Sequence, residues 1–446
     1  MIHMDLPFLL QCGKFLLAFV PLCLIPINIF MERKGASLIQ DRFGPNRANI
    51  PLLGGIRLFG FVQNLPDGIK LFTKESFIPK GAHKAWYLVA PMIPLVIALL
   101  TPSVIPWFAP MAVEGTRGLV QMSGQILDAD AGVLVLFALS GLSVYGVVLG
   151  AWASNSKYAL LGGMRASAQM ISYEVSMGLS AAGIFLLAGS FSLTRIVEWQ
   201  GANPLHWGIV LQPVGFVLFL TAMFAETGRP PFDMAEGESE IVAGYLMEYS
   251  AMRFGLYYMG EYAHIAIASA LVSTLFLGGY HMPFLGTEAL RANLGQVAAG
   301  VLAVFGVLSG LVAWAVRRWQ RIYATRGGSD IAARKREHGI LFGVFAILAA
   351  ALFAAAIAAA TSAHPAQVPI DGVPAWPLCV NLGVALLQLG VLVAKTLCIC
   401  WVFIWVRWTL PRFRYDQVMF LGWKVLLNIA LLNLLATAVV AKLAKG

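Results

Sequence analysis

Residues 132–153 read GVLVLFALSGLSVYGVVLGAWA, twenty-two positions without one charged side chain. A hydrocarbon layer about 30 Å thick needs about 20 mostly apolar residues, and a helix there satisfies its own backbone. Moving outward, nine further windows of this kind lie near 6–30, 85–107, 166–190, 208–225, 256–279, 295–316, 339–362, 380–406 and 419–441. The expected fold is an all-α polytopic membrane helix bundle of about ten spans. Composition agrees: 59% of the 446 residues are hydrophobic, only 12% are charged, and mean hydropathy is +0.77. Too few polar side chains exist to cover a soluble globule, which excludes a soluble enzyme, a disordered chain and a nucleic-acid reader. The first window does not read as a cleaved signal peptide, because no basic residue precedes it and Glu32-Arg33-Lys34 follows as a hydrophilic stop. Cys12, Cys23, Cys379, Cys398 and Cys400 all lie in apolar runs with no CxxC pair, so they read as buried hydrophobes rather than metal or disulfide ligands.

The net charge of +9 is a matter of orientation. The segments after windows one, three, five, seven and nine hold nine, two, two, seven and four Lys or Arg, the last counting Lys424 at the head of the tenth window. The termini and the even segments hold five, and Lys14 and Lys395 lie inside spans. This asymmetry puts the odd segments in the cytoplasm and both termini in the periplasm. The loop over 226–255 differs, with Arg229 and Arg253 against Glu226, Asp233, Glu236, Glu238, Glu240 and Glu248. Orientation does not require those acids. Glu236, Glu238 and Glu240 are crowded enough to titrate as a coupled set, some pulled above the usual carboxylate range. Gly228-Arg229-Pro230-Pro231 breaks the backbone just before them.

Leu52, Ile56, Phe59, Val62, Leu65, Ile69 and Phe72 recur every three or four residues, the period of a helix with one apolar face. The spacing predicts a lateral amphipathic helix over about 51–73, starting at Pro51 and kinked at Pro66. Three charges stand where lipid should be. Glu174 lies about ten residues, roughly 15 Å, into its window. Lys395 is comparably deep, and Glu261 sits a turn into its window with His264 on the same helical face. A buried carboxylate costs about 2.5 to 3.5 kcal/mol at a helix centre, so these groups face protein or water and suit a proton relay; structural ion pairing is the competing reading.

Four ordered stretches carry a family resemblance: Met31-Glu32-Arg33-Lys34 with Arg42-Phe43-Gly44-Pro45-Asn46 and Asp67 to Glu75; Gly150 to Leu160 running into Val175; Ala225 to Arg229 continuing through Pro231-Phe232-Asp233-Met234-Ala235-Glu236-Gly237-Glu238-Ser239-Glu240; and Leu410 to Gln417 followed by Trp423-Lys424. In these motifs the chain resembles the H-type, or heel, subunits of respiratory complex I, the bacterial NADH:quinone oxidoreductase. The resemblance implies a multi-pass inner-membrane subunit with no redox centre of its own. It would form much of a quinone access chamber that opens to lipid beside the lateral helix, and it would couple quinone reduction to proton translocation. Flavin and iron–sulfur clusters would lie in partner subunits. Among those partners are the peripheral-arm quinone-site and terminal-cluster subunits, and small membrane-arm subunits adjoin as well. Carried over by motif, Glu32, Arg33, Arg42, Asp67, Lys70, Arg407, Arg412, Arg414 and Asp416 would serve the chamber mouth and arm interface. Glu226, Asp233, Glu236, Glu238, Glu240 and Glu248 would form the coupling loop, with Glu174, Glu261 and Lys395 continuing the proton path.

Two departures stand out. The family usually has eight spans, whereas residues 281–378 here insert two more apolar helices and a basic loop between a membrane domain (1–280) and a C-terminal helix pair (379–446). Gln63-Asn64 also stands where the family commonly has glutamine-proline. Three other readings are weighed. The equivalent subunit of a membrane-bound hydrogenase or formate hydrogenlyase would lack the full Ala235-to-Glu240 run. A stand-alone secondary transporter would show inverted repeats, and none is evident. A purely structural anchor is disfavoured by the buried charges.

Overall fold

The computed structural model describes residues 6–50, 57–115, 118–235, 237–324, 329–361, 368–370 and 373–445. Among these residues, eight helices are long and apolar enough to cross a membrane. We number the membrane helices and the lateral one in chain order. α1 spans Pro7–Ile39, and the lateral helix α2 spans Asn64–Thr73. Next come α3 (Met92–Val104), α4 (Gly132–Ala153), α5 (Lys157–Ala188), α6 (Pro213–Glu226) and α7 (Ala251–Phe276). The inserted segment supplies α8 (Leu294–Ala324) and α9 (Ser329–Ala360). The chain closes with α10 (Leu378–Thr409) and α11 (Tyr415–Leu443). Two short hairpins complete the description. β1 (Met111–Gly115) pairs with β2 (Gly118–Met122), and β3 (Val368–Ile370) with β4 (Val373–Ala375), both antiparallel.

All ten apolar windows contain helix, but α3 and α6 are too short to be counted with the eight. Proline is the cause in both. Pro91 and Pro94 interrupt the second window after a first helical piece, Lys84–Val89, and Pro213 separates α6 from the turn Gly208–Leu211. Pro94 also wedges α3 between α4 and α7. A Cβ on Gly146 would stand 2.5 Å from its ring, and one on Gly260 3.3 Å away.

α7 is the axis of the bundle. Of its apolar window 83% is buried, against 17% for each of α8 and α9. Its small residues, among them Ala263, Ala266, Ser269, Ala270 and Ser273, are fully covered and let α1, α3 and α10 pack around it. α5 holds the other half together, lying against α4, α6 and α11, and stops at Gly189 in the left-handed region. α8 and α9 form a hairpin packed mainly on itself.

The lateral segment differs from its sequence expectation. Residues 51–56, including Pro51, lie outside the described residues. Leu58 and Phe59 turn left-handed, at φ 44° and 56°, and regular helix starts only at Asn64. Pro66 therefore sits in the first helical turn, where its missing N–H has no partner to lose, so no kink arises. Asn64, in the place of the usual proline, donates its amide to the Pro26 carbonyl of α1 at 2.9 Å. Leu71 seats against Gly255 of α7.

Candidate functional site

Side chains from four distant segments meet at the end of the bundle beside the lateral helix. Glu32 of α1 is 8% exposed. One of its oxygens pairs with Arg407 of α10, and the other accepts the Tyr262 hydroxyl of α7 at 2.7 Å. The Tyr262 ring lies 4.6 Å from the Arg229 guanidinium. Arg229 in turn contacts Glu261, Nε to Oε1 at 2.6 Å. Arg407, Glu32, Tyr262, Arg229 and Glu261 thus form one largely buried chain, two ion pairs joined through Tyr262. Truncating either member of a buried ion pair strands the other without water and typically costs about 3–5 kcal/mol.

The chain opens onto a cavity of about 60 Å³ lined by Glu261, His264, Glu226, Ser143, Tyr245 and Tyr257 among others. That is room for a few water molecules. Glu226 ends α6 at 2% exposure, and neither of its carboxylate oxygens has a hydrogen-bond partner among the described residues. Glu226 and His264 also line a smaller void with Ser140 and Thr101, one step further along the bundle. Glu174 lies within electrostatic reach of Glu226, its carboxylate packed against Gly141 of α4.

Local sequence explains how the loop is held there. The Pro230–Pro231 bond is cis. Gln169 of α5 donates to the carbonyls of Ala225 and Phe232 at 2.7 and 2.8 Å. The C-terminal loop folds over it: Arg412 meets Asp233 at 2.6 Å, Phe413 donates its N–H to the Pro231 carbonyl at 3.1 Å, and the Phe232 and Phe413 rings stand 5.4 Å apart. At its far end the loop is tied down by tyrosines. Tyr87 donates to the Glu248 carbonyl at 2.6 Å and stacks on Tyr249 at 4.4 Å. Burial raises the Tyr249 phenol well above its ordinary pKa, so it stays a neutral donor to the Gly150 carbonyl.

Comparison with known proteins identifies the family. A family profile described as NADH dehydrogenase matches residues 13–326 and 327–438. NADH-quinone oxidoreductase subunit 8 of Rhodothermus marinus is 36% identical over 438 residues, covering 98% of both chains. An H-type NADH-quinone oxidoreductase subunit of Geobacter metallireducens is 38% identical over 422 residues, 95% of this chain and 93% of the relative. Its counterpart in Cytophaga hutchinsonii is 34% identical over 418 residues, 94% of this chain and 92% of its own. The chain belongs to the NADH dehydrogenase family.

Against that family's motifs the structure sorts the expected residues into groups. Glu32, Arg407, Glu226 and Glu261 join the buried chain and its cavity, with Glu174 alongside; Asp233 and Arg412 pair beside them. Glu240 instead pairs with Arg165 of α5 at 2.6 Å, both partly exposed. Arg33 pairs with Asp67 across α1 and α2, again partly exposed. Arg42, Lys70, Arg414 and Asp416 are exposed, and Glu248 is half-buried. Glu236 and the Glu238 side chain lie outside the described residues.

Lys395 stands apart from the acids. Its ammonium donates to the carbonyls of Leu277, Gly279 and His281 at 2.7, 2.8 and 2.8 Å and lies 4.4 Å from the Trp207 ring. It caps the C-terminal end of α7, where unpaired carbonyls favour a cation. That is roughly 24 Å along the helix from Glu261 at 1.5 Å per residue. Lys14 is likewise satisfied locally, by the Ser123 and Gln125 carbonyls at 3.0 Å each.

Sequence reasoning misses several members of the chain and cavity as site residues, Arg229, Tyr262 and His264 among them. Arg229 carries a signal, as one of only two bases in an acidic loop. Tyr262 carries none beyond adjacency to Glu261, because a tyrosine in an apolar helix reads as core. Among the described residues no group of His, Cys, Asp and Glu has metal-binding geometry.

Proposed function

We propose that this chain forms the membrane side of a quinone access chamber and couples quinone reduction to proton movement through its buried carboxylates. It is a membrane subunit of an NADH-quinone oxidoreductase, an enzyme complex whose cofactors reside in partner subunits. Those partners are peripheral-arm subunits holding flavin and iron–sulfur clusters, including the terminal one, together with small membrane-arm subunits. The chain is multi-pass, sits in the bacterial inner membrane, and has both termini periplasmic.

The observation that carries this reading is the buried chain Arg407–Glu32–Tyr262–Arg229–Glu261 ending at a cavity that holds Glu226 and His264. The two ion pairs are linked through Tyr262, so a charge change at one end alters the pairing preference along the chain. Two unit charges 4 Å apart interact by about 4 kcal/mol at an effective dielectric near 20, ample to move a proton between carboxylates. Quinone reduction would supply such a change, because with two electrons from a partner subunit the quinone takes up two protons to become the quinol. Asp67 and Lys70 lie on the lateral helix and Arg33 pairs with it; with Arg42 they mark where an apolar quinone would leave the lipid. Arg412 and Arg414 lie on the loop that closes over Asp233, and Asp416 in the first turn of α11 beside it, suited to hold the peripheral arm. Glu236, Glu238, Glu240 and Glu248 belong to the same proton-conducting loop, and Glu174 continues the path into the membrane. Lys395 serves the far end of α7 by fixing its terminus. The purified native complex tests the reading: flavin and iron–sulfur partners with NADH-driven reduction of a quinone are expected, and a nickel hydrogenase partner with no quinone reduction would overturn it.

A further inference from the structure

The inserted hairpin is tethered to the rest of the chain at one notable place, the turn in front of the lateral helix. Glu337 of α9 is 5% exposed, although it opens the apolar part of its helix. Its carboxylate accepts the backbone N–H of Arg57 at 2.8 Å and stands 4.0 Å from the Arg57 guanidinium. Two residues on, the Phe59 ring lies 6.1 Å from Trp319 of α8 and 6.4 Å from Phe345 of α9. This turn needs holding. Leu58 and Phe59 both adopt left-handed φ values, 44° and 56°, which side chains other than glycine keep only when their surroundings enforce them. At Gly60, φ 98°, a Cβ would stand 2.0 Å from the Pro45 carbonyl oxygen. From the other side α1 grips the segment through Phe30 against Phe61 at 5.6 Å and Pro26 against Asn64.

We propose that the α8–α9 hairpin is a clasp on this turn that positions the lateral helix at the lipid-side mouth of the quinone chamber, with Glu337 as the positioning residue. The proposal rests on the quinone-chamber reading above and gives the inserted segment a role in it. A quinone with a long isoprenoid tail must thread the mouth from the bilayer, whereas a short-chain, water-soluble analogue depends far less on its shape. Loosening the clasp therefore acts on entry of the long substrate and leaves the chemistry alone.

The test uses the intact complex in proteoliposomes, with a long-chain quinone in the bilayer and a short-chain analogue as the comparison. Glu337→Leu removes the acceptor of the Arg57 N–H and is expected to raise KM for the long-chain quinone about five-fold or more, with kcat for the short-chain analogue within about two-fold of wild type. Glu337→Gln keeps a carbonyl acceptor and is expected to restore most of the long-chain KM. Trp319→Leu, measured in parallel, leaves Glu337 in place and loosens Phe59 only; it is expected to shift the same KM in the same direction. Unchanged long-chain KM in both Glu337→Leu and Trp319→Leu overturns the proposal, and so does an equal loss with both quinones, which would mark plain fold support. Failure of the underlying reading shows elsewhere, in a wild-type complex that reduces neither quinone.

Discussion

Glu226 is the residue at which burial and chemistry meet. A carboxylate at 2% exposure with no hydrogen-bond partner among the described residues is costly unless water or a proton attends it. Glu226→Gln keeps the shape and removes the exchangeable proton; proton uptake per NADH in proteoliposomes is expected to fall by at least about half while the complex still assembles. A wild-type ratio would make Glu226 a structural group. His281 lies in the loop after α7 with both ring nitrogens unpartnered among the described residues. Burial, with the nearby Lys395 charge, pushes its pKa down to about 4. The sign follows: above the unfolded pKa of about 6.5 the ring is neutral in both states and contributes nothing. As pH falls from there toward 4 only the unfolded chain takes the proton, so stability falls. The Tm of the solubilised complex is expected to drop between pH 7 and 5, and His281→Gln should remove part of that drop. An identical slope in the variant would place the titration elsewhere.

Helices and their contacts set the next scale. α4 approaches the tyrosine cluster at Gly150, where a Cβ would stand 2.0 Å from the Tyr257 hydroxyl and 3.0 Å from that of Tyr249. Neither ring has room to retreat, since Tyr257 is buried and donates to the Gly146 carbonyl at 2.9 Å. Gly150→Ala is expected to destabilise by about 1–3 kcal/mol through overpacking and to lower the yield of assembled complex. Adding Tyr257→Phe removes the clashing oxygen and should recover part of that yield; no recovery would put the strain in the α4 backbone instead. The same close approach explains part of what periodicity revealed and part of what it hid. The ten apolar windows were legible because lipid demands length and hydrophobicity of any helix that meets it. The breaks just ahead of α3 and α6 are readable in principle from Pro91, Pro94 and Pro213. The late start of α2 was not, because the left-handed turn at Leu58 and Phe59 depends on contacts with α8, α9 and α1, which no local pattern encodes.

At the scale of the whole molecule the distribution of bases makes a claim about sidedness. With 24 of 31 Lys and Arg in the odd segments, reporter fusions within the 226–255 loop and at the C-terminal end of α11 are expected to report opposite sides of the membrane, the loop cytoplasmic. Reports from the same side would overturn the ten-crossing topology. What the sequence determined alone was the class of solvent, the number of apolar segments, the sided distribution of charge and the motifs that place the chain in its family. These depend on composition and local order, and lipid acts on each helix separately. The tertiary structure alone decided which of the misplaced charges act together. Glu32 and Arg407 are 375 residues apart, and Arg229 reaches Glu261 only because a loop turns back onto α7. Lys395, as conspicuous in the sequence as the acids, proved to be held by backbone carbonyls at the other end of the same helix. A charge in a membrane helix must find a partner, but which partner is a matter of three-dimensional packing, because the helices that supply it meet in space and not in sequence.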